Sequence, residues 1–351
     1  SSGMNKPYYR VSEGMEKGTY IRLGRSTIRA NLDMIEELKW RTRGKSYDEL
    51  PVYQAQEADL DYKALSRFLE SRKGRPPIAV STEVLKSYHI LVEEHGQIYP
   101  TVAGILLFGK KPSRWFSESM IICTHFSGTK GREALATRDC TGTLFEQFHE
   151  SFEFILSRLN RSFTIQGPQR EEKLEIPEIA IREFLLNAVI HRNYHLNAPT
   201  KIAIWADRVE IFSPGNFPTP LPNLELGLTD VRNKMICNIF REANYIEKLG
   251  TGFITAFESY REANLPHPEV IDGENFVKCI LPRESYGIAE ESDELQPILR
   301  LFLAADSLSV SDVIHQLQIP RATAARRLAK LVEMGLLIQI GKGKGTKYCK
   351  P

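Results

Sequence analysis

Apolar positions recur along this chain with two different periods. Leu144, Phe145, Phe148, Phe152, Ile155, Leu156 and Leu159 return every three or four residues. That spacing lines one helical face and predicts an amphipathic helix over 144–159. Residues 177–191 predict a second helix, with Pro177 in the first turn, where no backbone N–H is needed. Further helices are predicted over 30–40, 61–71 and 82–94. A period of two predicts strands over 119–126, 200–205 and 208–212, the last two joined by a tight Ala206-Asp207 connection. Residues 20–23 read as a short strand. The mixture predicts an α+β protein.

The pattern changes after residue 295. Residues 297–304 predict a first helix, and Ser309 is placed to cap a second over 310–317. Gln318-Ile319-Pro320 makes a turn. A third helix over 322–334 turns Ala325, Leu328, Leu331 and Val332 inward. A strand over 336–340, a tip Gly341-Lys342-Gly343-Lys344-Gly345 and a returning strand over 346–349 complete a winged helix-turn-helix. The third helix carries Arg321, Thr323, Arg326, Arg327 and Lys330 on or beside its exposed side. A major groove admits one helix, and arginine reads guanine edges through two hydrogen bonds. Lys342, Lys344 and Lys347 in the wing can neutralise phosphates. The same module can dock proteins, and a lysine-rich hairpin can simply be soluble.

Charge favours the nucleic-acid reading. The whole chain of 351 residues sums to only +2. From Leu295 onward, however, nine basic residues face three acidic ones, a charge of +6 that leaves −4 for the remainder. Residues 287–294, with Glu290-Glu291-Ser292-Asp293-Glu294, read as an acidic linker. Weaker boundaries fall at 44–57 and 71–77. The predicted organisation is 1–43, a linker and helix over 44–80, a central α+β domain over 81–286, the linker, and the winged helix over 295–351. Ser1-Ser2-Gly3 ahead of Met4 reads as a tag remnant. A content of 42% hydrophobic and 26% charged residues excludes disorder as the main state. The longest apolar run, near 101–108, is too short for a membrane span. Five cysteines without a Cys-x-x-Cys pair signal no zinc ribbon, and their odd number suits a reducing cytoplasm.

Glu183, Asn187 and His191 recur every four residues inside 177–191, so they share a helical face. A carboxylate and a carboxamide one turn apart can orient a water and a hydrated Mg²⁺ beside phosphates. Further on, Gly250-Thr251-Gly252 precedes a helical stretch, where glycines and a hydroxyl at a helix start can hold an anion. Singly, the stripe is a solvated face and the glycines a turn. In this order they resemble the GHKL ATP-binding fold, a sandwich whose N-box helix carries Glu and Asn. The resemblance implies Glu183 as general base and Asn187 as Mg²⁺ ligand. It implies Gly250, Thr251 and Gly252 as the phosphate loop, with His191, Ser213 and Gly215 completing an ATP site. One departure stands out: Ser213-Pro214-Gly215 replaces the Asp-x-Gly whose carboxylate holds the adenine amino group. His191 and His195 are four apart, but Arg192 occupies the place of the glutamate that zinc proteases carry next to the first histidine.

The strings THFSGTKG, REFLLNAVIHRNY, DRVEIFSPGNFP and EKLGTGF resemble bacterial transcriptional regulators often labelled RecG-helicase-related. These combine a divergent AlbA-type (Schlafen-like) N-terminal domain, a degenerate GHKL-like centre and a winged helix. Residues 1–43 resemble only the second half of the AlbA-type domain. The string Arg232-Asn233 also recurs in that family. No G-x-x-x-x-G-K-[ST] string supports a helicase motor. The expectation is a cytoplasmic regulator that binds double-stranded DNA as a homodimer and responds to a nucleotide, ATP with Mg²⁺. The alternatives are an ATP-hydrolysing enzyme using Glu183, or a scaffold whose winged helix docks protein.

Overall fold

Two hydrophobic cores form, one in each of two units, Ser1–Glu284 and Ser285–Pro351. The structure is a computed structural model and describes residues 7–23, 26–30, 32–42, 44–72, 74–166, 169–217, 231–246, 252–273, 275–283, 295, 297–299, 301–302, 305, 307–333, 336–341 and 346–349.

The first unit opens with a short helix α1 (Gly14–Gly18), a hairpin of β1 (Tyr20–Leu23) and β2 (Ser26–Arg29), and helix α2 (Leu32–Thr42). Helix α3 (Tyr62–Ser71) starts where the Asp61 carboxylate accepts from the N–H groups of Lys63 and Ala64, satisfying donors with no partner inside the helix. Its neighbourhood is no free linker. Val52, Ala55, Leu60, Leu65, Phe68 and Leu69 belong to the same core as the central sheet, so the weak boundary at 44–57 does not break it.

The helix predicted over 82–94 divides. Helix α4 (Thr82–Ser87) stops before His89, which takes a left-handed conformation (φ 52). The chain then forms β3 (Leu91–Glu94) and β4 (Gln97–Pro100) around a two-residue turn. That turn, His95-Gly96, has positive φ at both positions, the geometry that suits a tight hairpin. Helix α5 (Val102–Phe108) is buried throughout.

The central sheet begins with β5 (Ile121–Phe126) and β6 (Ala134–Cys140). Helix α6 (Leu144–Leu156), a hairpin of β7 (Arg161–Gln166) and β8 (Gln169–Leu174), and helix α7 (Glu178–Ile190) follow. Then come β9 (Thr200–Ile204), β10 (Arg208–Pro214), α8 (Lys234–Glu242), α9 (Gly252–Glu262), β11 (Glu269–Asp272) and β12 (Phe276–Pro282). Among the described residues, six strands make one sheet in the order β11-β12-β10-β9-β5-β6. Only the β5–β9 pairing is parallel, since α6, the β7–β8 hairpin and α7 lie between those strands in the chain. Helix α7 packs against α6, α9 and β10, with eight of its residues buried. Its polar stripe is therefore set in a buried helix rather than an amphipathic surface one.

In the second unit the chain is helical at 295, 297–299 and 301–302. A short strand β13 (Ser307–Ser309), absent from the predicted pattern, precedes helix α10 (Val310–Leu317). Ser309 and Asp312 form a reciprocal capping box at its start. Gln318, at φ 52, turns the chain into helix α11 (Arg321–Glu333). Strands β14 (Ile338–Ile340) and β15 (Lys347–Cys349) join β13 in a three-stranded sheet of order β13-β15-β14. One predicted facing is corrected: Ala325 is exposed, and Ala324 is buried beside Leu328 and Leu331. Ala324, Leu328 and Leu331 are spaced four and three residues apart and so share one helical face.

Candidate functional site

The C-terminal end of α7 is densely hydrogen-bonded. The last carbonyls of any helix lack partners within it. Here each carbonyl from Asn187 to Arg192 receives a donor. His191 N–H reaches Asn187 O at 3.0 Å, and the Ser213 hydroxyl donates to Ala188 O at 2.8 Å. The Tyr194 hydroxyl donates to Val189 O at 2.8 Å. The Asn233 amide donates to Ile190 O at 2.7 Å and to Arg192 O at 2.8 Å. Arg232 Nη1 donates to His191 O at 3.3 Å, a cation at the negative end of the helix dipole. This is the physical role of the Arg232-Asn233 string, which sequence reasoning noticed without explaining. Its targets lie some forty residues upstream.

Arg192, 3% exposed, reaches from this end to the segments that lead into β5 and β9, donating to the carbonyls of Glu118 and Ala198, both at 2.7 Å. Burial lowers its pKa. Asn193 accepts from His195 N–H through Oδ1 at 3.1 Å and donates its own backbone N–H to Pro214 O at 2.8 Å. The segment closes the helix against the strand.

The fold gathers Asn187, His191, Ser213 and Gly215 around one narrow cleft, walled by Phe184 and Phe253. Gly215 sits at φ +100, and a Cβ there would collide with Arg232 Nη1 and the Asn193 side chain. Glu183 stands apart from that lining. Its carboxylate pairs with Arg182 at 3.0 Å, while Arg182 also donates to Tyr245 O at 2.6 Å. A Cβ on Gly252 would strike Glu183 Oε2, so glycine lets the start of α9 approach α7. The Asn187 amide turns back on its own helix and donates to Glu183 O at 2.7 Å. Gly250 and Thr251 lie outside the described residues.

The described end of the cleft offers room for about 30 Å³, the volume of roughly one water. Ligand pockets commonly span about 300–1,000 Å³. The donors and acceptors are of the kind that line a nucleobase edge, but among the described residues no carboxylate lines the cleft beside Ser213, whose proton is directed to Ala188 O. The described lining lacks the carboxylate that holds an adenine amino group in the resembled fold, and the phosphate-loop positions Gly250 and Thr251 are not part of it. Among the described residues, no cluster of three His, Cys, Asp or Glu side chains is arranged to hold a metal.

A buried carboxylate missed in the sequence orders the next helix. Asp48, fully buried, accepts the N–H groups of Met235 and Ile236 at 2.8 and 2.9 Å and so caps α8 from 187 residues away. The Ser46 hydroxyl donates to its other oxygen. Burial dominates over these bonds and pushes the Asp48 pKa up to about 6.

The second unit presents its cations differently. Arg321 and Arg326 on α11 and Lys347 on β15 are exposed, and Thr323, Arg327 and Lys330 are half-buried. The apolar side of α11, through Ala324, Leu328 and Leu331, packs into the core with Val313 and Tyr348. Lys342 and Lys344 lie outside the described residues. Among those residues, no helix is long and apolar enough to cross a membrane.

Two stretches match known families. Residues 197–281, from just before β9 into β12, match the family described as "Putative ATP-dependent DNA helicase recG C-terminal". The match begins after α7, so Glu183, Asn187 and His191 precede it. Residues 297–341 match the IclR helix-turn-helix domain. A crystal structure of the DIP2311 protein from Corynebacterium diphtheriae is similar, at 18% identity and a TM-score of 0.56. The alignment covers 95% of this chain and 70% of that one, and shows a shared fold. No curated protein matches the chain. The chain thus joins a RecG-C-terminal-like, ATPase-like central domain to an IclR-type helix-turn-helix, a combination consistent with a DNA-binding regulator.

Proposed function

We propose that the protein is a transcription regulator that binds double-stranded DNA through α11 and the β14–β15 wing. The observation that carries this is the basic, solvent-facing side of α11, opposite an apolar side locked into its own core. A helix fixed by packing on one side and cationic on the other matches what a major groove accepts. Protein docking needs no such surplus of cations. Duplex binding measured by fluorescence anisotropy across a salt series tests it. Affinity is expected to fall steeply with salt as phosphate counterions are released. An affinity independent of salt, or none at low salt, sinks the proposal in favour of a docking module.

The finer reading assigns the central unit to a GHKL-like sandwich that responds to ATP and Mg²⁺, with residues 1–43 resembling part of an AlbA-type domain. The protein would then act as a cytoplasmic homodimer on paired half-sites. Supporting it are the convergence of Asn187, His191, Ser213 and Gly215 and the match over 197–281. Opposing it are the narrow cleft and the missing adenine carboxylate. Calorimetry with a non-hydrolysable ATP analogue and Mg²⁺ separates the readings. Binding lost in Asn187→Ala with DNA affinity intact fits a sensor. Phosphate release abolished by Glu183→Ala fits an ATPase. No binding leaves the central unit a scaffold.

A further inference from the structure

A second concavity in the first unit is roomier than the cleft and chemically unlike it. It lies among α2, the turn at 45–47, the segment after α7 and the start of α8, and encloses about 230 Å³. Trp40, Tyr47 and His195 form one of its corners. Their ring centroids are 5.3–5.4 Å apart, with interplanar angles of 42°, 82° and 68°. Such tilted and edge-on packing leaves ring faces and edges on which a further ring can stack. Lys45, Arg232 and Lys234 bring positive charge; Lys45 pairs with Glu94 at 3.6 Å and Arg232 with Glu37 at 3.8 Å. Lys234 is exposed, and its ammonium makes a long 3.4 Å bond to Gly44 O.

From this geometry we infer a binding site for a small aromatic anion, a single- or fused-ring carboxylate. A volume of about 230 Å³ lies just below the roughly 300–1,000 Å³ of common ligand pockets, so a small ligand suits it. The rings supply stacking for a planar body, and Lys234 supplies charge for a carboxylate at its rim. His195 belongs to an aromatic corner, while His191, four residues earlier in the chain, lines the other cleft. Arg232 forms part of the pocket wall and also holds Asn216 and the carbonyl of His191, both at the cleft. This inference stands apart from the DNA-binding reading and needs no DNA to test.

The full chain is titrated with benzoate, indole-3-carboxylate and neutral benzyl alcohol, followed by calorimetry and by quenching of tryptophan fluorescence. Saturable one-to-one binding of at least one carboxylate is expected, with benzyl alcohol at least tenfold weaker. Trp40→Leu and Lys234→Gln should each weaken carboxylate binding at least tenfold. Lys234 is exposed, so its variant keeps the test valid if Trp40→Leu folds poorly. Asn187→Ala, in the other cleft, should leave the affinity within twofold. The inference is overturned if neither carboxylate saturates, if benzyl alcohol binds equally well, or if Lys234→Gln binds like the parent. It is also overturned if Asn187→Ala abolishes binding, which would place the ligand in the cleft.

Discussion

The polar residues of α7 and those of α11 do opposite kinds of work. In the REFLLNAVIHRNY segment most polar side chains turn inward: Asn187 to its own helix, Arg192 to two carbonyls of neighbouring segments, and Tyr194 to Val189 O. In α11 the cations at Arg321 and Arg326 face solvent. A motif rich in Asn, Arg and His is therefore ambiguous by itself. Its residues can build a site, or they can satisfy a buried helix end whose unpaired carbonyls would each cost about 1–3 kcal/mol. Burial of the helix decides between these uses, and α7 is buried where α11 is half-exposed.

That contrast can be broken at several points. Reversing both exposed arginines, Arg321→Glu with Arg326→Glu, should weaken duplex binding by about 4 kcal/mol, roughly a thousandfold. Thermal stability should barely move, because neither position is in the core. A parallel loss of stability would mean that the two arginines hold the fold together.

Asn233→Ala should act the other way. Two helix-end carbonyls lose their donor, and unfolding stability should drop by about 3 kcal/mol in a urea titration. DNA affinity at low temperature should be retained. A stability change below about 1 kcal/mol would show that water replaces the amide readily.

Asp48 adds a pH signature. Its folded pKa is about 6, above the ordinary 3.8. The folded state therefore binds the extra proton, and the stability this contributes is full below pH 3.8 and is lost as pH rises through about 6. Relative to Asp48→Asn, which has no such titration, the parent should gain about 2 kcal/mol on going from pH 7 to 4.5. A pH-independent difference would contradict a raised pKa. The smallest effect is expected for Ser213→Ala, about 1 kcal/mol for one lost hydrogen bond. A much larger loss would give the hydroxyl a further role.

These predictions separate what local sequence could disclose from what it could not. Helix α10 is readable because its cap, Ser309, and its apolar repeat are adjacent in the chain. The β9–β10 hairpin is readable for the same reason. The break after α4 turns on one left-handed histidine inside an apolar stretch, which periodicity alone cannot distinguish from a continuing helix. Strand β13 is three residues long and exists through its pairing with β15, far downstream. At the candidate site, the resemblance named Asn187, His191, Ser213 and Gly215 together, and the fold brings the four to one cleft. The closure of the cleft, the Asp48 cap and the basic aromatic pocket were not legible in the sequence, because each brings together segments from distant parts of the chain.

The central claim is that α11 and its wing, rather than the polar end of α7, form the contact with DNA. Hydrogen exchange of the full chain with and without duplex DNA tests this most directly. The account predicts new protection in peptides spanning 321–333 and 338–349, with those spanning 183–193 unchanged. Protection confined to 183–193, or absent from 321–333 at saturating DNA, would contradict it.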